Sequence, residues 1–362
     1  MLYHLLYPLS EYFIVFNLFR YITFRAIGAA VTAFLIGLVI GPWLINVLKR
    51  KTIAEIIRED VPERHREKAG TPTMGGLLIL AATLIPTLLW ADLTNEYVLI
   101  VAGVTLALGL MGFWDDYLKV VKKKELGLLA RYKFIGQFAL AFAIGALVYF
   151  FPLENGMTPV VAFPFFKELA VNIGVFYIPF VMVVIVGSTN AINLTDGLDG
   201  LAAGATAFAA LAFAVMTYVV GHVNFSEYLQ LMFVSRAGEL TVYCLAVIGA
   251  TLGFLWYNSY PAQIFMGDTG SLALGGGIGT VAVMIKQELL LVIVGGVFVI
   301  ESLSVIIQVL YFKATGGKRV FRMAPIHHHY ELAGMREPKI VVRFWIVAAI
   351  FALLGLSTLK IR

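Results

Sequence analysis

The sequence predicts an all-α polytopic integral membrane protein with about ten transmembrane helices and both termini on the external (periplasmic) side. Three observations predict it. The 362 residues are 60% hydrophobic and only 14% charged, whereas soluble domains are near half apolar and a quarter charged. The apolar residues fall in long continuous runs, not in the short alternating segments of an outer-membrane barrel, and a helix satisfies its own backbone hydrogen bonds in lipid. The basic residues gather in alternate loops. This balance excludes a water-soluble enzyme, and it excludes a disordered chain, which is poor in apolar residues and rich in charge. With no internal repeat or low-complexity tract, residues 1–362 read as a single membrane-embedded domain.

A membrane-crossing helix needs about 20 apolar residues. Such runs lie at 24–47, 73–90, 97–114, 132–151, 170–189, 198–220, 239–257, 268–285, 288–312 and 340–358. Of the 27 Lys and Arg residues, 20 fall around the loops after the first, third and ninth runs. Basic loops stay in the cytoplasm, so the odd-numbered loops are cytoplasmic. The N-terminal stretch MLYHLLYPLSEYF has no early basic residue and no small-residue cleavage site, so it reads as an interfacial helix and not as a cleaved leader. Residues 49–68 suit a helix on the membrane surface, with Ile53, Ile56 and Ile57 on its apolar side. The single cysteine, Cys244, lies in an apolar run and reads as a buried, inert thiol.

Polar groups at membrane depth are expensive and mark functional candidates. Here they cluster in or beside the five loops assigned to the cytoplasm. Lys68 and Thr71-Pro72-Thr73-Met74-Gly75-Gly76 open the second run, either as a cap and close-packing point or as a functional motif. Asp115 and Asp116 end the third. Adjacent carboxylates at a helix C-terminus face the negative end of the dipole, so a cation must compensate: Lys119 one turn on, or a bound metal. The two side chains point about 100° apart, which implies different roles. Asn190, Asn193, Asp196 and Asp199 enter the sixth run; Asn190 with Asn193 and Asp196 with Asp199 are i,i+3 pairs, and Asp196 also suits an N-cap. Asn258 through Phe265, Gly267, Asp268 and Ser271 enter the eighth, where small residues leave helix N–H groups open to a phosphate. The later Gly275-Gly276-Gly277 suits close helix packing. His327, His328 and His329 lie in the ninth loop. Consecutive histidines do not readily converge on one zinc; phosphate contact or acid–base work fits them better. Glu301 lies inside the ninth run, with packing and an active-site relay as its two readings, and Gln308 nearer the cytoplasmic end.

Carboxylates without cysteine partners suit Mg²⁺, which binds one or two carboxylates plus substrate phosphates. Helix N-termini and lysines suit a diphosphate. The residues alone therefore describe a Mg²⁺-dependent phosphoryl-type transferase acting on a lipid.

At these positions the chain resembles the polyprenyl-phosphate N-acetylhexosamine-1-phosphate transferases. The Asp115-Asp116 pair, the Asn190–Asp199 segment and Phe265-Met-Gly-Asp268 carry the broad likeness. TPTMGG at 71–76, NLTDGLDGLA at 193–202, FMGDTGSLALGG at 265–276 and RMAPIHHHYEL at 322–332 point to the branch that serves peptidoglycan assembly. The resemblance implies transfer of phospho-N-acetylmuramoyl-pentapeptide from UDP-N-acetylmuramoyl-pentapeptide to undecaprenyl phosphate, giving lipid I and UMP. It also implies Mg²⁺, a homodimer, the bacterial inner membrane and no nucleic-acid partner.

Residue by residue, it makes Asp268 the first Mg²⁺ ligand, with Asp115, Asp116 and Asp196 as further candidates. Asp115 would take the proton of the lipid phosphate, supported by Asp116 and Lys119. Asp196, Gly197, Leu198, Asp199, Asn258 and Phe265 would hold uridine, with Phe265 stacked on the base. Lys68, Thr73, Asn193, His327 and His328 would contact diphosphate or sugar, and Asn190, Gln308 and His329 complete the substrate-binding set. Two rivals remain: a sister transferase using UDP-N-acetylglucosamine, and a secondary transporter. The second fits poorly, because transporters place such groups near the midplane and often show inverted repeats.

Overall fold

Apolar runs this long become helices because lipid offers the backbone no other partner. In the computed structural model, which describes residues 1–50, 70–124, 127–152, 159–166 and 169–361, they do so throughout. The helices are α1 Leu2–Leu6, α2 Ile22–Arg50, α3 Gly76–Trp90, α4 Glu96–Val120, α5 Ala130–Phe150, α6 Tyr177–Thr195, α7 Leu201–Val220, α8 Val223–Leu229, α9 Leu240–Asn258, α10 Gly267–Met284, α11 Glu288–Val294, α12 Gly296–Ala314, α13 Ile326–Leu332 and α14 Glu337–Ile361. Among the described residues eight stretches are long and apolar enough to cross a membrane: those of α2, α4, α5, α6, α7, α9, α12 and α14. The fold is thus that of a helical, multi-pass membrane protein.

α10 sits at the centre. Every residue from Thr269 to Met284 is buried, against α4, α6, α3 and α7. A helix enclosed by protein need not be strongly apolar, and small residues let its neighbours approach to backbone distance. A Cβ on Gly275 would strike the Ser188–Thr189 backbone of α6, one on Gly276 would strike Leu108 of α4, and one on Gly277 would strike Tyr243 of α9. Three consecutive glycines thus receive three different helices. Cys244 is buried in α9, with a free thiol.

At one end of the bundle the starts of α2, α4 and α9 meet the end of α3. Arg25 is 2% exposed and its guanidinium binds Glu239 through both terminal nitrogens, and the Trp90 carbonyl at 3.3 Å. The Asp92 N–H donates to Glu239 Oε2 at 3.2 Å, and Asn95 caps α4 through the Tyr97 N–H at 3.0 Å. Removing one partner of a buried pair strands the other charge, at about 3–5 kcal/mol, whereas replacing both by apolar residues is close to neutral. Arg25→Ala is therefore expected to lower the unfolding midpoint in detergent strongly, and Arg25→Met with Glu239→Leu to recover most of it. Equal midpoints for Arg25→Ala and the unaltered protein would show that the pair holds nothing together.

The structure corrects several boundaries. The N-terminal stretch is not one helix: α1 is followed by 3-10 turns at Tyr7–Glu11 and Ile14–Arg20, because Pro8 withholds an N–H that a continuing helix needs. The fifth run does not begin at residue 170. Val160–Ala162 (β1) and Ala170–Asn172 (β2) form an antiparallel hairpin with Val161 opposite Val171, and Asn172 accepts from the Gly174 N–H at 2.9 Å before α6 starts at Tyr177. The ninth run breaks at Gly295 into α11 and α12. The second run does not begin at residue 73; the helix starts at Gly76, and Pro72 to Gly75 are extended or turning. The surface helix expected over 49–68, apart from Lys49 and Arg50 at the end of α2, lies outside the described residues, as does Lys68.

Candidate active site

The far end of the bundle gathers the motifs. The FMGD turn and the TPTMGG segment are stitched backbone to backbone: the Phe265 N–H donates to the Pro72 carbonyl, Gly75 to Phe265 and Gly76 to Met266, each at 2.8 Å. A Cβ on Gly76 would overlap the Gly270 nitrogen, so this contact requires glycine. Met74 stands in the left-handed region at φ +72°, where a side chain is strained, yet it is 3% exposed; such outliers concentrate where function needs a backbone held in place. Gly267, at φ +73°, makes the turn into α10.

That turn points the first α10 N–H groups at Asp116. Asp116 Oδ1 accepts from the Asp268 N–H at 3.0 Å, and Oδ2 from the Thr269 N–H at 2.9 Å and hydroxyl at 2.6 Å. Asp116 is thus a helix cap supplied from another helix, at the positive end of the α10 dipole. Two of the N–H groups that the sequence offered to a phosphate, those of Asp268 and Thr269, are taken by this carboxylate. Thr73 lies beside the same turn, its hydroxyl 3.1 Å from where a Gly267 Cβ would stand.

Asp115, one residue earlier and so turned about 100°, faces elsewhere. Its Oδ2 meets Lys119 Nζ at 2.7 Å and Lys133 Nζ at 3.6 Å, and its Oδ1 accepts from the Leu128 N–H at 2.6 Å. The same two lysines bind Asp268 Oδ2, at 2.9 Å and 2.7 Å. Asp268 Oδ1 accepts from Asn193 Nδ2 at 2.7 Å, and that amide also reaches Ser271 Oγ at 2.8 Å. Two carboxylates from α4 and α10 therefore face one another across two ammonium groups, with α6 holding one of them by an amide. Lys133 lies on α5, outside every motif read from the sequence; a lysine in the first turn of an apolar helix looks like a membrane anchor. Gln137, one turn on along the same face, accepts from Asn190 Nδ2 at 2.7 Å. The Lys133–Gln137 spacing is the signal that could have found α5.

The remaining candidates form a second group that begins at the end of α6. Asn190 and Asn193 lie within the last turns of that helix and not at the entrance to the next; Asp196 stands at its C-cap, not at an N-cap, because α7 begins only at Leu201, after Gly200 turns at φ +80°. Asp199 is 3% exposed; its carboxylate accepts from the Ala262 N–H at 3.0 Å and its own N–H donates to Glu337 Oε1 at 2.8 Å. Asn258 fastens the same loop, accepting from the Gly200 N–H at 2.9 Å and donating to the Ile264 carbonyl at 2.8 Å. Leu198 turns into an apolar cluster with Leu201, Ile340 and Val341. Gly197 abuts the His327 ring, and Phe265 is half-buried.

The three histidines diverge. His327 Nδ1 pairs with Glu301 Oε2 at 3.0 Å, His328 Nδ1 with Glu331 Oε2 at 3.0 Å, and His329 Nδ1 accepts from the Arg322 N–H at 3.1 Å. Gln308 uses its amide on the loop that follows α12: Oε1 accepts from the Phe321 N–H at 2.9 Å and Nε2 donates to the Phe321 carbonyl at 3.0 Å. Glu301 has the partner that the sequence left open, while Glu331, one turn after His328 on α13, and Glu337, which reaches the Asp199 N–H from α14, are acids that sequence reading gave no task.

Comparison with known proteins identifies the family. Residues 98–286 match glycosyl transferase family 4, and residues 68–80 match signature 1 of the phospho-N-acetylmuramoyl-pentapeptide-transferases. The proteins of that name from Pelobacter propionicus, Desulfatibacillum aliphaticivorans and Thermodesulfovibrio yellowstonii are 56%, 57% and 51% identical, over 100% of both chains in each pairing. The chain belongs to the phospho-N-acetylmuramoyl-pentapeptide-transferase family. Signature 1 of the family includes the segment stitched to the FMGD turn, and the family 4 match runs from α4 through α10, so it takes in Asp115, Asp116, Lys119, Lys133, Asn193 and Asp268.

Proposed function

We propose that this chain transfers phospho-N-acetylmuramoyl-pentapeptide from UDP-N-acetylmuramoyl-pentapeptide to undecaprenyl phosphate, releasing UMP and forming lipid I at the cytoplasmic face of the bacterial inner membrane. The observation that carries the chemistry is the facing pair Asp115 and Asp268 with Lys119 and Lys133 between them. In the reaction an oxygen of the lipid phosphate bonds to the sugar-bearing phosphorus, and the bond from that phosphorus to the UMP oxygen breaks. Asp115 takes the proton of the lipid phosphate. Lys119 and Lys133 neutralise the two carboxylates, so that the diphosphate meets no net negative charge there. Asp116 holds the α10 turn, and Asn193 holds Asp268 in register. The loop from Asp196 to Asp199, with Asn258 and Phe265, receives the uridine, and His327 and His328 reach the diphosphate-sugar side. An alternative route, in which an aspartate first attacks phosphorus and UMP leaves, would be revealed by a trapped phospho-sugar adduct.

The donor set fits Mg²⁺. Two carboxylates already share one cation, since Lys119 Nζ reaches both within 2.9 Å, and oxygen ligands of this kind suit the ion. The charges of two aspartates and two lysines cancel, leaving no surplus for a diphosphate. Asp268, with Asp115, would hold the ion, which when bound supplies that positive charge. Ten crossings follow if α3 and α10 are counted with the eight longer helices, α11 and α12 together making one crossing, and the basic loops support termini outside the cell. The homodimer belongs to the same reading and is tested by molecular mass in detergent.

Purified protein with undecaprenyl phosphate and Mg²⁺ is expected to release UMP from the muramoyl-pentapeptide donor and not from UDP-N-acetylglucosamine. Chelation should abolish release and added Mg²⁺ restore it. Release from UDP-N-acetylglucosamine alone would move the chain to the sister activity while leaving the fold and the acid–lysine centre unchanged.

A further inference from the structure

A histidine that contacts a diphosphate-sugar must be held in one orientation. α12 supplies the group that holds His327. Glu301 is 0% exposed, as is His327, and Glu301 Oε2 lies 3.0 Å from His327 Nδ1. The other oxygen of Glu301 and the Nε2 of His327 are buried without a hydrogen-bond partner. A buried carboxylate in a membrane helix is costly and persists when it is paired. The pair is not a chance contact of one long side chain. The loop that follows α12 folds back along it and is tied down two turns later by Gln308, through the backbone of Val320 and Phe321. This return path brings α13 to Glu301. On its far side His327 meets the loop after α6, where Nε2 is the atom closest to a Cβ placed on Gly197. The His328 ring lies 4.2 Å from that of His327, centroid to centroid, and is held separately by Glu331.

We propose that Glu301 is a positioning residue for the transfer: its carboxylate accepts from His327 Nδ1–H, fixes the imidazole tautomer and rotation, and thereby aims Nε2 at the phospho-sugar of the donor beside Gly197. The tautomer of a histidine is set by the bond its other nitrogen makes; for metal-bound histidines loss of such an outer partner costs about 10–100-fold, and the lower end of that range is expected for a histidine that touches substrate directly. The proposal rests on the function given above, but its test separates the two.

Glu301→Gln keeps the size and an acceptor oxygen but loses the charge. It is expected to lower kcat roughly tenfold, with KM for the nucleotide donor within about twofold of the parent and an unchanged unfolding midpoint. In a His327→Ala background the same substitution should cost nothing further, because its target is gone. Glu301→Asp should recover little, since the shorter side chain no longer reaches Nδ1. Histidine-labelled protein read by 15N NMR, with His327 assigned by its loss in His327→Ala, should show protonated Nδ1 in the parent and mixed tautomers in Glu301→Gln. Independent, multiplicative losses in the double variant, or an unaltered His327 tautomer in Glu301→Gln, would overturn the proposal. A parent protein that turns over no muramoyl donor would instead overturn the functional reading, and the 15N spectrum would still decide the role of Glu301.

Discussion

Asp115→Asn and Asp268→Asn each lose at least about 10²–10³ in kcat, the cost of removing one charge-stabilising group from a pre-organised site, while the protein still folds. The substitutions keep side-chain shape. In Asp115→Asn one oxygen can still accept from the Leu128 N–H, as Oδ1 does now; in Asp268→Asn one can still accept from Asn193 Nδ2. What disappears is a negative charge shared by Lys119 and Lys133. The lysines remain, but the ion that Asp268 and Asp115 would hold loses a ligand, so both variants should also need more Mg²⁺. The expected signature is a collapse of kcat that saturating donor does not restore. UMP release over a range of donor concentrations gives kcat and KM, and the unfolding midpoint reports folding. Near-parental turnover in either variant would remove that aspartate from the chemistry, and a large rise in KM with kcat intact would make it a binding group only.

Gly112→Ala is expected to cost roughly 3 kcal/mol in stability, the upper end for forcing volume into a packed contact, and to leave little activity. Gly112 lies one turn before Asp116 on the same face of α4. A Cβ there would overlap the Asp268 carbonyl group and stand 2.6 Å from the Thr269 nitrogen. These are backbone atoms that cannot rotate aside. The start of α10 must move outward, and that movement pulls the Asp268 and Thr269 N–H groups away from Asp116, ending a cap worth about 0.5–2 kcal/mol and displacing Asp268 from the lysines. Gly103→Ala is the control: it lies in the same helix with nothing within 4 Å of its added Cβ. The unfolding midpoint in detergent should fall for residue 112 and hold or rise slightly for residue 103. Equal midpoints would mean that α4 and α10 do not need backbone contact at this level.

The two substitutions probe different levels of organisation. Asp115 and Asp268 were chosen from sequence, because paired acids at helix ends in an apolar chain have no cheap structural use. Gly112 was not, since glycine in an apolar run reads as ordinary close packing. Lys133 was visible only as one more basic residue of a cytoplasmic loop. Glu301 stood out as a buried acid, but its partner lies 26 residues on, in a loop whose return path no periodicity encodes.

By itself the sequence determined the membrane class, the place of nearly every long helix, the gathering of the polar motifs at one end and the family. Each of these follows from a local cause. In lipid a helix satisfies its own backbone within the run that forms it, and charge is sorted across the membrane by its place in the loops. Only the tertiary structure decided which acid does what. Asp115 and Asp116 are chemically identical neighbours, and a rotation of about 100° turns one toward two lysines and the other onto the start of α10, 152 residues away. The pairing of Val160–Ala162 with Ala170–Asn172, the break at Gly295, the recruitment of Lys133 and the grip of Glu301 on His327 have the same character. Each depends on which surface a segment meets after the helices pack, a choice made by shape and pairing between distant parts of the chain.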